Sequence, residues 1–329
     1  MSDQSQRTIP VYHSAAEIPS DFGPTVAAIG NFDGVHRGHQ EILSSVVAEA
    51  RSLGLRSLAI TFDPHPERFL RPERAPLLLT PMPRRIPLLA ATGIDAVLVL
   101  DFNAQLASLS AAQFAGTLLA NQIKVCSLHE GGNFRFGHRA QAGVQELRQF
   151  GDEFGFAVHV HSPVHTHGLE VSSSATRALV AAGDLRRARW MLGHPFAIRS
   201  TQVRDRGIGT RLLVPTVNLA PYPELLPASG VYVTRLSVNG RCFQAVTNIG
   251  NRPTFGEASF AVESHILDFE PLEMDDRTPI DLEFLLRLRG ESKWPSPEAL
   301  KVQIMKDIAK AKRYFRLSIQ RAAKNSQLI

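Results

Sequence analysis

The chain has 329 residues, 44% of them hydrophobic and 20% charged, and a formal net charge of +5. This length favours two domains, and this composition is typical of a soluble globular protein. No stretch approaches the roughly 18 uninterrupted apolar residues of a membrane helix, and the N-terminus lacks the apolar segment of a signal peptide. The two cysteines, Cys126 and Cys242, lack metal-ligand spacing, so we expect a protein of the reducing cytoplasm.

The positive charge is concentrated at the C-terminal end of the chain. Residues 301–329 contain eight of the 36 Lys and Arg residues but one acidic residue, Asp307. The same segment has one apolar helical face, formed by Ile304, Ile308, Ala311, Phe315 and Ile319. We therefore expect a terminal helix that packs through this face and exposes a basic face, rather than a nucleic-acid-binding tail.

The first half of the chain alternates strand-like and helix-like segments. Helical spacing follows the first apolar run, with Gly54 as its predicted C-cap, and Ser110 is the predicted N-cap of a helix over Ser110–Ala120. This alternation predicts a parallel sheet with helices on both faces, in which ligands bind at the carboxyl ends of the strands. The apolar runs that predict strands are Val26–Ile29, Leu58–Phe62, Ala96–Leu100, Val125–Leu128 and Phe156–Val160.

The segment Gly30–His39 has the features of a phosphate-binding loop. It reads Gly-Asn-Phe-Asp-Gly-Val-His-Arg-Gly-His and lies between a predicted strand and a helix predicted to begin at Gln40. Glycines let the backbone approach an anion, and a helix N-terminus offers free N–H groups. His36 and His39 add side chains that can donate hydrogen bonds to phosphoryl oxygens.

A second polar cluster, Ser172–Arg177, precedes the predicted helix Ala178–Leu192. Hydroxyls and a guanidinium at a helix start suit anionic oxygens, although the same residues also form an ordinary N-cap with a surface arginine. Together with Gly30–His39 in one α/β domain, the cluster predicts the second side of a nucleotide site.

From about Arg199 the pattern changes to antiparallel β. Gly230–Val238 and Arg241–Val246 flank the dipeptide Asn239-Gly240, which is typical of a two-residue hairpin. Further strands are predicted at Ser259–Phe269 and Ile280–Leu288. We place the boundary near residues 196–201, which divides the chain into residues 1–197 and 198–329.

The motifs of the first half resemble those of the nucleotidylyltransferase superfamily, and specifically the FAD synthetase module of bacterial bifunctional riboflavin kinase/FAD synthetases. The resemblance implies a Rossmann-like α/β domain with a parallel sheet, which transfers the adenylyl group of ATP to FMN. The matching segments are Gly30–His39, Thr61–Pro66, Asn133–Gly137, Ser172–Arg177 and Gly183–Leu185.

The second half resembles the riboflavin kinase module of the same enzymes. The resemblance implies a mostly antiparallel β-barrel with a terminal helix, which phosphorylates riboflavin with ATP. The matching segments are Pro215–Asn218, Gly230–Tyr232, Asn248–Thr254, Val262–Phe269 and Leu288–Trp294.

The resemblance also implies roles for single residues of the first module. His36, His39 and Arg177 would be catalytic, holding the ATP phosphates and stabilising charge on the α-phosphoryl group. Phe62 and Asn133 would line the flavin side of the site. The remaining ATP-binding residues would be Gly30, Asn31, Phe32, Asp33, Gly38, Ser172, Ser173 and Ser174.

In the kinase module, the resemblance implies that Thr216 and Asn218 bind the Mg²⁺ and phosphates of a second ATP. Glu263 would be the base that takes the proton of the ribityl 5′-hydroxyl. Strand alternation alone would make Glu263 a solvent-facing residue, and Thr216 would be a turn residue after Pro215. The surrounding motifs favour the site assignment.

Departures from the family pattern at three positions bear on these expectations. Leu213 stands where the family has a glycine beside the nucleotide loop, which brings the loop shape and the kinase affinity into question. Ser174 stands for the usual threonine and keeps the hydroxyl, and Thr176 replaces an apolar residue.

We therefore expect a bifunctional enzyme that makes FMN and then FAD and pyrophosphate, with Mg²⁺, with ATP as co-substrate, and with riboflavin, FMN and FAD as substrates or products. We expect small-molecule partners, no nucleic acid, no membrane, and a monomer or weak homo-oligomer. Three alternatives remain open. One is an enzyme with a single active module, an FMN adenylyltransferase with an impaired kinase. The others are a nucleic-acid-binding or regulatory flavin sensor that uses the basic tail, and a nucleotidylyltransferase acting on pantetheine phosphate or a polyol phosphate.

Overall fold

The computed structural model describes residues 8–203, 216–251, 260–268 and 273–326. The chain divides into two compact units, unit 1 (Met1–Ser173) and unit 2 (Ser174–Ile329). The predicted division of the functional modules at residues 197 and 198 stays a prediction. None of the described helices is both long enough and apolar enough to span a bilayer.

Unit 1 is built on a six-stranded sheet, as the alternating pattern predicted. The strands lie in the order β1-β4-β3-β2-β5-β6, and every neighbouring pair is parallel. The order reverses at β2, so a ligand crevice is expected among the loops that follow β2, β3 and β5. The strands are β1 (Val11–Tyr12), β2 (Thr25–Ile29), β3 (Arg56–Asp63), β4 (Ala96–Asp101), β5 (Val125–Gly131) and β6 (Ala157–His161).

Helices cover both faces of this sheet. On one face, Leu43 and Val46 of α1 pack with Leu89 of α3, and on the other Leu119 of a π-helical segment packs with Leu147 of α5. A short hairpin of β7 (His165–Thr166) and β8 (Leu169–Glu170) follows β6. The helical elements are α1 (Arg37–Leu53), α2 (Pro66–Leu70), α3 (Met82–Ala90), α4 (Ala104–Ser108), the π-helical segment Gln113–Ile123 and α5 (Val144–Phe154).

Two helix boundaries in unit 1 differ from the sequence prediction. Helix α1 begins at Arg37 rather than Gln40, because the His36 ring caps it by accepting a hydrogen bond from the backbone of His39. Its predicted end is confirmed, since Gly54 adopts the left-handed conformation of a C-cap. Ser110 accepts a hydrogen bond from the Gln113 backbone as predicted, but the helix it caps winds as a π-helix and continues past Ala120.

The predicted continuous helix Ala178–Leu192 was wrong. The structure has two helices, α6 (Ser173–Ala181) and α7 (Leu185–Leu192), separated where Gly183 takes a φ of +75°. Asp184 then caps α7 by accepting a hydrogen bond from the backbone of Arg187. The hydroxyl cluster therefore occupies the first turn of a helix instead of preceding it.

Unit 2 contains an antiparallel sheet that closes into a barrel. Its order is β10-β13-β12-β11-β14-β9. Beyond β9, Gln202 bridges to Leu219 of β10, and the Val203 backbone donates to the Asn218 carbonyl at 2.9 Å, which joins the two edge strands. The strands are β9 (Phe196–Ser200), β10 (Thr216–Leu219), β11 (Gly230–Val238), β12 (Arg241–Asn251), β13 (Phe260–Ile266) and β14 (Ile280–Gly290).

The barrel confirms the predicted hairpin and contains a polar interior. Asn239 and Gly240 both take positive φ, as a two-residue turn between β11 and β12 requires. Inside, the hydroxyls of Thr234, Thr247 and Ser264 form a chain with separations of 2.7 and 2.8 Å, so these buried donors and acceptors are satisfied.

The terminal helix α8 (Pro297–Ser326) packs on the barrel through part of its predicted apolar face. Ala311 and Phe315 are buried against the barrel, whereas the Ile319 side chain is 63% exposed, so the packed stripe ends one turn earlier than predicted. Asp307 is buried and accepts a 2.8 Å hydrogen bond from Arg289 of β14. The one acidic residue of the basic segment thus fixes the helix to the sheet.

Candidate active sites

The loop after β2 is held from beneath by a buried carboxylate. Asp33 accepts hydrogen bonds from the backbones of Leu79 and Thr80 at 3.0 and 2.9 Å, and its Oδ1 lies 3.8 Å from Nη2 of Arg85. The Thr80 hydroxyl accepts a hydrogen bond from the Gly34 backbone at 2.7 Å. The side chains of Asp33 and Arg85 are both buried, so the pair is shielded from water and fixes the loop.

This anchoring holds two residues of the loop in uncommon backbone conformations. Phe32 and Val35 have φ values of 45° and 38°, and both side chains are buried. A non-glycine residue in this region costs about 1–3 kcal/mol and persists where the surroundings determine it. These two backbone conformations turn the chain sharply between β2 and α1, and the turn places both histidines at the start of the helix.

The two predicted catalytic histidines lie together at the N-terminus of α1. Their rings stack with centroids 3.5 Å apart, and Phe32 packs edge-on against His39. Gly38 lies close beneath them, because a Cβ added there would be 3.2 Å from Cε1 and Nδ1 of the His36 ring. The small residue in the motif therefore leaves space for the first histidine.

The environment of His39 suits an anionic ligand. Burial, together with the charges of His36 and Arg85, lowers the pKa of His39 well below its usual value. Nδ1 of His39 is buried and has no hydrogen-bond partner within the described part of the chain. A buried imidazole nitrogen without a protein partner is a suitable contact for a phosphoryl oxygen.

The second polar cluster reaches the first through Ser173. Its hydroxyl donates a 2.8 Å hydrogen bond to the backbone carbonyl of Asp33, so residues 140 positions apart meet in unit 1. Ser174 and Arg177 lie on α6 in unit 2, where Nη1 of Arg177 is 3.5 Å from the Ser174 hydroxyl. The structure thus brings Ser173 to the phosphate-binding loop.

The two predicted flavin contacts lie at or just after the carboxyl ends of the strands that flank β2. Phe62, near the end of β3, packs edge-on against Phe102 with ring centroids 5.7 Å apart. Asn133 is exposed in the loop after β5, where the Phe134 backbone donates to the Gly131 carbonyl and forms a turn. Both residues therefore lie at the carboxyl edge of the sheet, the edge that also carries the phosphate-binding loop.

One buried group of this edge was missed by the sequence analysis. Glu130, near the end of β5, is buried and accepts a 2.7 Å hydrogen bond from the Ile29 backbone, one residue before the loop. Burial raises the pKa of Glu130 well above its usual value, against the opposing effect of that hydrogen bond. Arg85 and Thr80 were missed as well. All three residues are far from the loop in sequence, and only the folded chain brings them next to it.

In unit 2, the predicted kinase residues lie side by side on neighbouring strands. The register pairs Asn218 of β10 with Glu263 of β13, and Glu263 with Asn248 of β12. Directly paired residues have Cβ atoms about 4.5–5.5 Å apart on one face of the sheet. Thr216, two residues before Asn218, shares this face. The sequence analysis gave no role to Asn248.

This face of the barrel lies beside the terminal helix. Val246 precedes Asn248 by two residues and packs with Ala311 and Phe315 of α8. Asn248 and its neighbours Asn218, Thr216 and Glu263, which we call the polar row, therefore lie on the same face of the sheet as this helix. Leu213, the departure from the family pattern, lies outside the described residues.

The residues of this row fit a hard divalent cation. Oδ1 of Asn218 is buried and accepts no hydrogen bond from any residue that the structure describes. Amide, hydroxyl and carboxylate oxygens are the ligands that Mg²⁺ prefers, and Thr216, Asn218 and Glu263 offer one of each.

Each half of the chain matches a family of known proteins. The FAD synthetase family model matches residues 18–175, and the riboflavin kinase family model matches residues 192–315. A bifunctional riboflavin kinase/FMN adenylyltransferase of Pseudomonas fluorescens is 38% identical over 288 residues, which cover 87% of this chain and 92% of that protein. The chain belongs to the bifunctional riboflavin kinase/FMN adenylyltransferase family.

A second relative has the same description, and one solved structure has a similar fold. The protein of the same description from Escherichia coli K12 is 32% identical over 307 residues, covering 93% of this chain and 97% of that protein. A solved structure from Streptococcus pneumoniae, described as a macrolide-efflux protein, is 25% identical with a TM-score of 0.82 and covers 92% of this chain. The predicted pairing of an FAD synthetase domain with a riboflavin kinase domain is confirmed.

Replacing Glu130 by Gln is expected to flatten the pH dependence of stability. Because the pKa of Glu130 is raised in the folded state, the folded chain binds more protons than the unfolded chain above the usual Glu range. Stability therefore falls as pH rises from about 4.3 toward the folded pKa. Gln keeps the oxygen that accepts from Ile29 but cannot ionise.

The measurement is the urea unfolding midpoint of both proteins across this pH range. An equal decline in the two proteins would contradict the assignment of the decline to Glu130. Replacing the exposed Glu153 by Gln is the matched control, and it should leave the decline unchanged.

Replacing Gly38 by Ala is expected to slow FAD formation without unfolding the chain. The new methyl group would lie 3.2 Å from two atoms of the His36 ring and would displace it by a few tenths of an ångström. Ala favours helix over Gly, so stability should not fall, while misplacing the ring should cost about tenfold in rate. Steady-state FAD formation, with the exposed Ser44→Ala variant of α1 as control, measures this, and an unchanged rate would refute it.

Proposed function

We propose that the chain makes FAD from riboflavin in two steps at two separate sites. The riboflavin kinase domain forms FMN from riboflavin and ATP, and the FAD synthetase domain then joins FMN to the AMP part of a second ATP. The observation that carries this proposal is that each unit holds its own cluster of polar groups, around His39 in unit 1 and around Glu263 in unit 2.

In the adenylyl transfer, an oxygen of the FMN phosphate attacks the α-phosphorus of ATP. A new P–O bond forms, and the bond to the β-phosphate oxygen breaks to release pyrophosphate. Backbone N–H groups at the start of α1 and the rings of His36 and His39 hold the phosphates and offset charge on the α-phosphoryl group. Before binding, burial and neighbouring positive charge lower the pKa of His39. The negative charge of bound ATP acts in the opposite direction and favours the protonated ring.

Other residues of this site have supporting roles in the proposal. Asp33 positions the loop through its bonds to Leu79 and Thr80, and Phe32 packs against His39. Gly30, Asn31, Gly38, Ser172 and Ser173 of unit 1 bind ATP. The ATP-binding role of Ser174 and the charge-neutralising role of Arg177, both in unit 2, stay expectations from the family resemblance. Phe62 and Asn133 contact the flavin ring system.

In the kinase step, the ribityl 5′-hydroxyl attacks the γ-phosphorus of ATP and ADP leaves. Glu263 accepts the proton of that hydroxyl, since a primary alcohol must lose it during the attack. Thr216 and Asn218 hold the Mg²⁺, which supplies charge neutralisation on the phosphates of the bound ATP. The adjacent pairing of Asn218 with Glu263 supports a base and a cation ligand acting on one substrate.

Each of the three alternative functions is less well supported than the two-step enzyme. Both family models match, which supports two active modules rather than one. An enzyme for pantetheine phosphate or a polyol phosphate would have no use for the riboflavin kinase domain. The basic segment belongs to a helix that packs on the barrel through Ala311 and Phe315, which supports a structural role for it.

The remaining expectations stay part of the proposal. We propose small-molecule partners without nucleic acid or membrane, a monomer or weak homo-oligomer, and a cytoplasmic location. The two cysteines, Cys126 and Cys242, are free thiols, which supports a reducing compartment.

Single substitutions should separate the two activities. His39→Ala is expected to lower FAD formation from FMN by about 10²–10³-fold and to spare FMN formation from riboflavin, because one charge-stabilising group is lost. His36→Asn should act similarly, since Asn keeps the helix cap but removes the ring. Glu263→Gln should reduce FMN formation by about 10²–10⁴-fold and spare FAD formation.

The measurement is chromatographic separation of products from riboflavin plus ATP and, separately, from FMN plus ATP. The spared activity serves as the folding control within each variant. Parallel loss of both activities in a folded variant would contradict two independent sites, and a wild-type chain that makes FAD from FMN but no FMN from riboflavin would establish the single-module alternative.

Replacing Asn218 by Leu should specifically weaken the Mg²⁺ dependence of the kinase. Leu has a similar size but lacks the buried Oδ1, so the Mg²⁺ concentration for half-maximal FMN formation should rise about tenfold or more. The Mg²⁺ dependence of FAD formation from FMN is the control. An unchanged Mg²⁺ requirement for the kinase would exclude Asn218 as a ligand.

A further inference from the structure

A cluster of three histidines and a glutamate lies in unit 1, apart from the residues of the adenylyl-transfer site. His129 is on β5, His159 and His161 are on β6, and Glu49 is on α1. The register pairs His129 directly with His159, and His161 follows two residues later on the same face of the sheet. Glu49 reaches this face from the fourth turn of the helix.

The side-chain atoms converge on one small volume. Nε2 of His129 lies 2.5 Å from Oε2 of Glu49, and Nε2 of His159 lies 3.5 Å from the same oxygen. One ligand atom from each of these three residues falls within 4.8 Å of the others. Zn²⁺ bonds of about 2.0–2.2 Å in a tetrahedral site separate ligand atoms by about 3.4 Å. The Glu49–His159 distance already matches, and the Glu49–His129 distance must open by about 1 Å.

We propose that Glu49, His129 and His159 form a binding site for a divalent transition-metal ion of the Zn²⁺ class. Two imidazole nitrogens and one carboxylate oxygen are ligands that this class prefers, whereas Mg²⁺ prefers an all-oxygen shell. The site is distinct in chemistry and in residues from the Mg²⁺ row of unit 2.

His161 completes the arrangement as a supporting residue. Its Nε2 lies 3.0 Å from Nδ1 of His129, the ring nitrogen that faces away from Glu49. A bound metal ion would replace the hydrogen between Nε2 of His129 and Glu49. The ring proton of His129 would then lie on Nδ1, which would donate it to His161. Metal-bound histidines are commonly oriented by such a second hydrogen bond.

Access to the site comes from the solvent side. His129 and Glu49 have side chains that are 5% and 24% exposed, while that of His159 is 49% exposed. An ion can therefore enter past His159, and three protein ligands leave a coordination position for water. The bound ion would tie α1 to β5 and β6 and stabilise unit 1 by mass action.

The experiment uses the full-length chain without a histidine tag, freed of metal by a chelator and then titrated with Zn²⁺ in a calorimeter. The expected result is one tightly bound Zn²⁺ per chain that excess Mg²⁺ does not displace. Titration with Co²⁺ should give visible absorption bands that report nitrogen ligands, and Zn²⁺ should raise the unfolding temperature of the wild-type chain.

Variants distinguish this site from other histidines. His159→Ala removes a half-exposed ligand and should weaken Zn²⁺ binding at least tenfold without unfolding the metal-free chain, and His161→Ala should weaken it about 10–100-fold. His165→Ala, an exposed histidine on β7, is the matched control and should bind like the wild type.

Three results would overturn the proposal. They are a wild-type chain that binds no Zn²⁺, a His159→Ala variant that binds as well as the wild type, and a His165→Ala variant that loses as much affinity. A variant His36→Asn that alone abolished binding would place the ion at the phosphate loop and would likewise refute the Glu49 site. None of these readouts depends on FAD or FMN formation, so failure here leaves the proposed enzyme activity untouched.

Discussion

The buried carboxylate of Asp33 is the constraint on which the proposed adenylyl-transfer site depends. It holds the backbone of Leu79 and Thr80 and faces Arg85, and all of these contacts lie away from water. Removing one partner of such a buried pair costs about 3–5 kcal/mol, because the other charge is left uncompensated. The strained φ angles of Phe32 and Val35 are maintained because this network opposes relaxation of the loop.

The two proposed sites lie on different scaffolds, and the two reactions require different arrangements of polar groups. Adenylyl transfer needs a fixed cradle for anions, and the switch point of a parallel sheet supplies it where α1 follows β2. Phosphorylation of an alcohol needs a base and a cation ligand at close range. Paired positions on antiparallel strands can supply both, as we propose for Glu263 and Asn218. In both scaffolds the position of each polar side chain is set mainly by the backbone, through the turn from β2 to α1 in one and the strand register in the other.

The sequence predicted those features that local chemistry determines. The hairpin at Asn239-Gly240, the C-cap at Gly54 and the strand–loop–helix around Gly30–His39 depend on near neighbours, so they could be predicted from the chain alone. Arg85 and Glu130 could not, because their role arises only when segments far apart in the chain meet. The helix start at Arg37 was missed because a histidine cap is uncommon among N-cap residues.

The same helix links the loop to the histidine cluster. Helix α1 begins at the two histidines proposed to be catalytic, and its fourth turn carries Glu49, so a ligand at either end would act on one rigid element. His159 and His161 alone show the period of a strand, which predicts a shared face but no site. Only the parallel register with His129 and the approach of Glu49 turn that face into the proposed set of metal ligands. A site of this kind is therefore a property of the packing between α1 and the sheet, and a family motif read along the chain does not contain it.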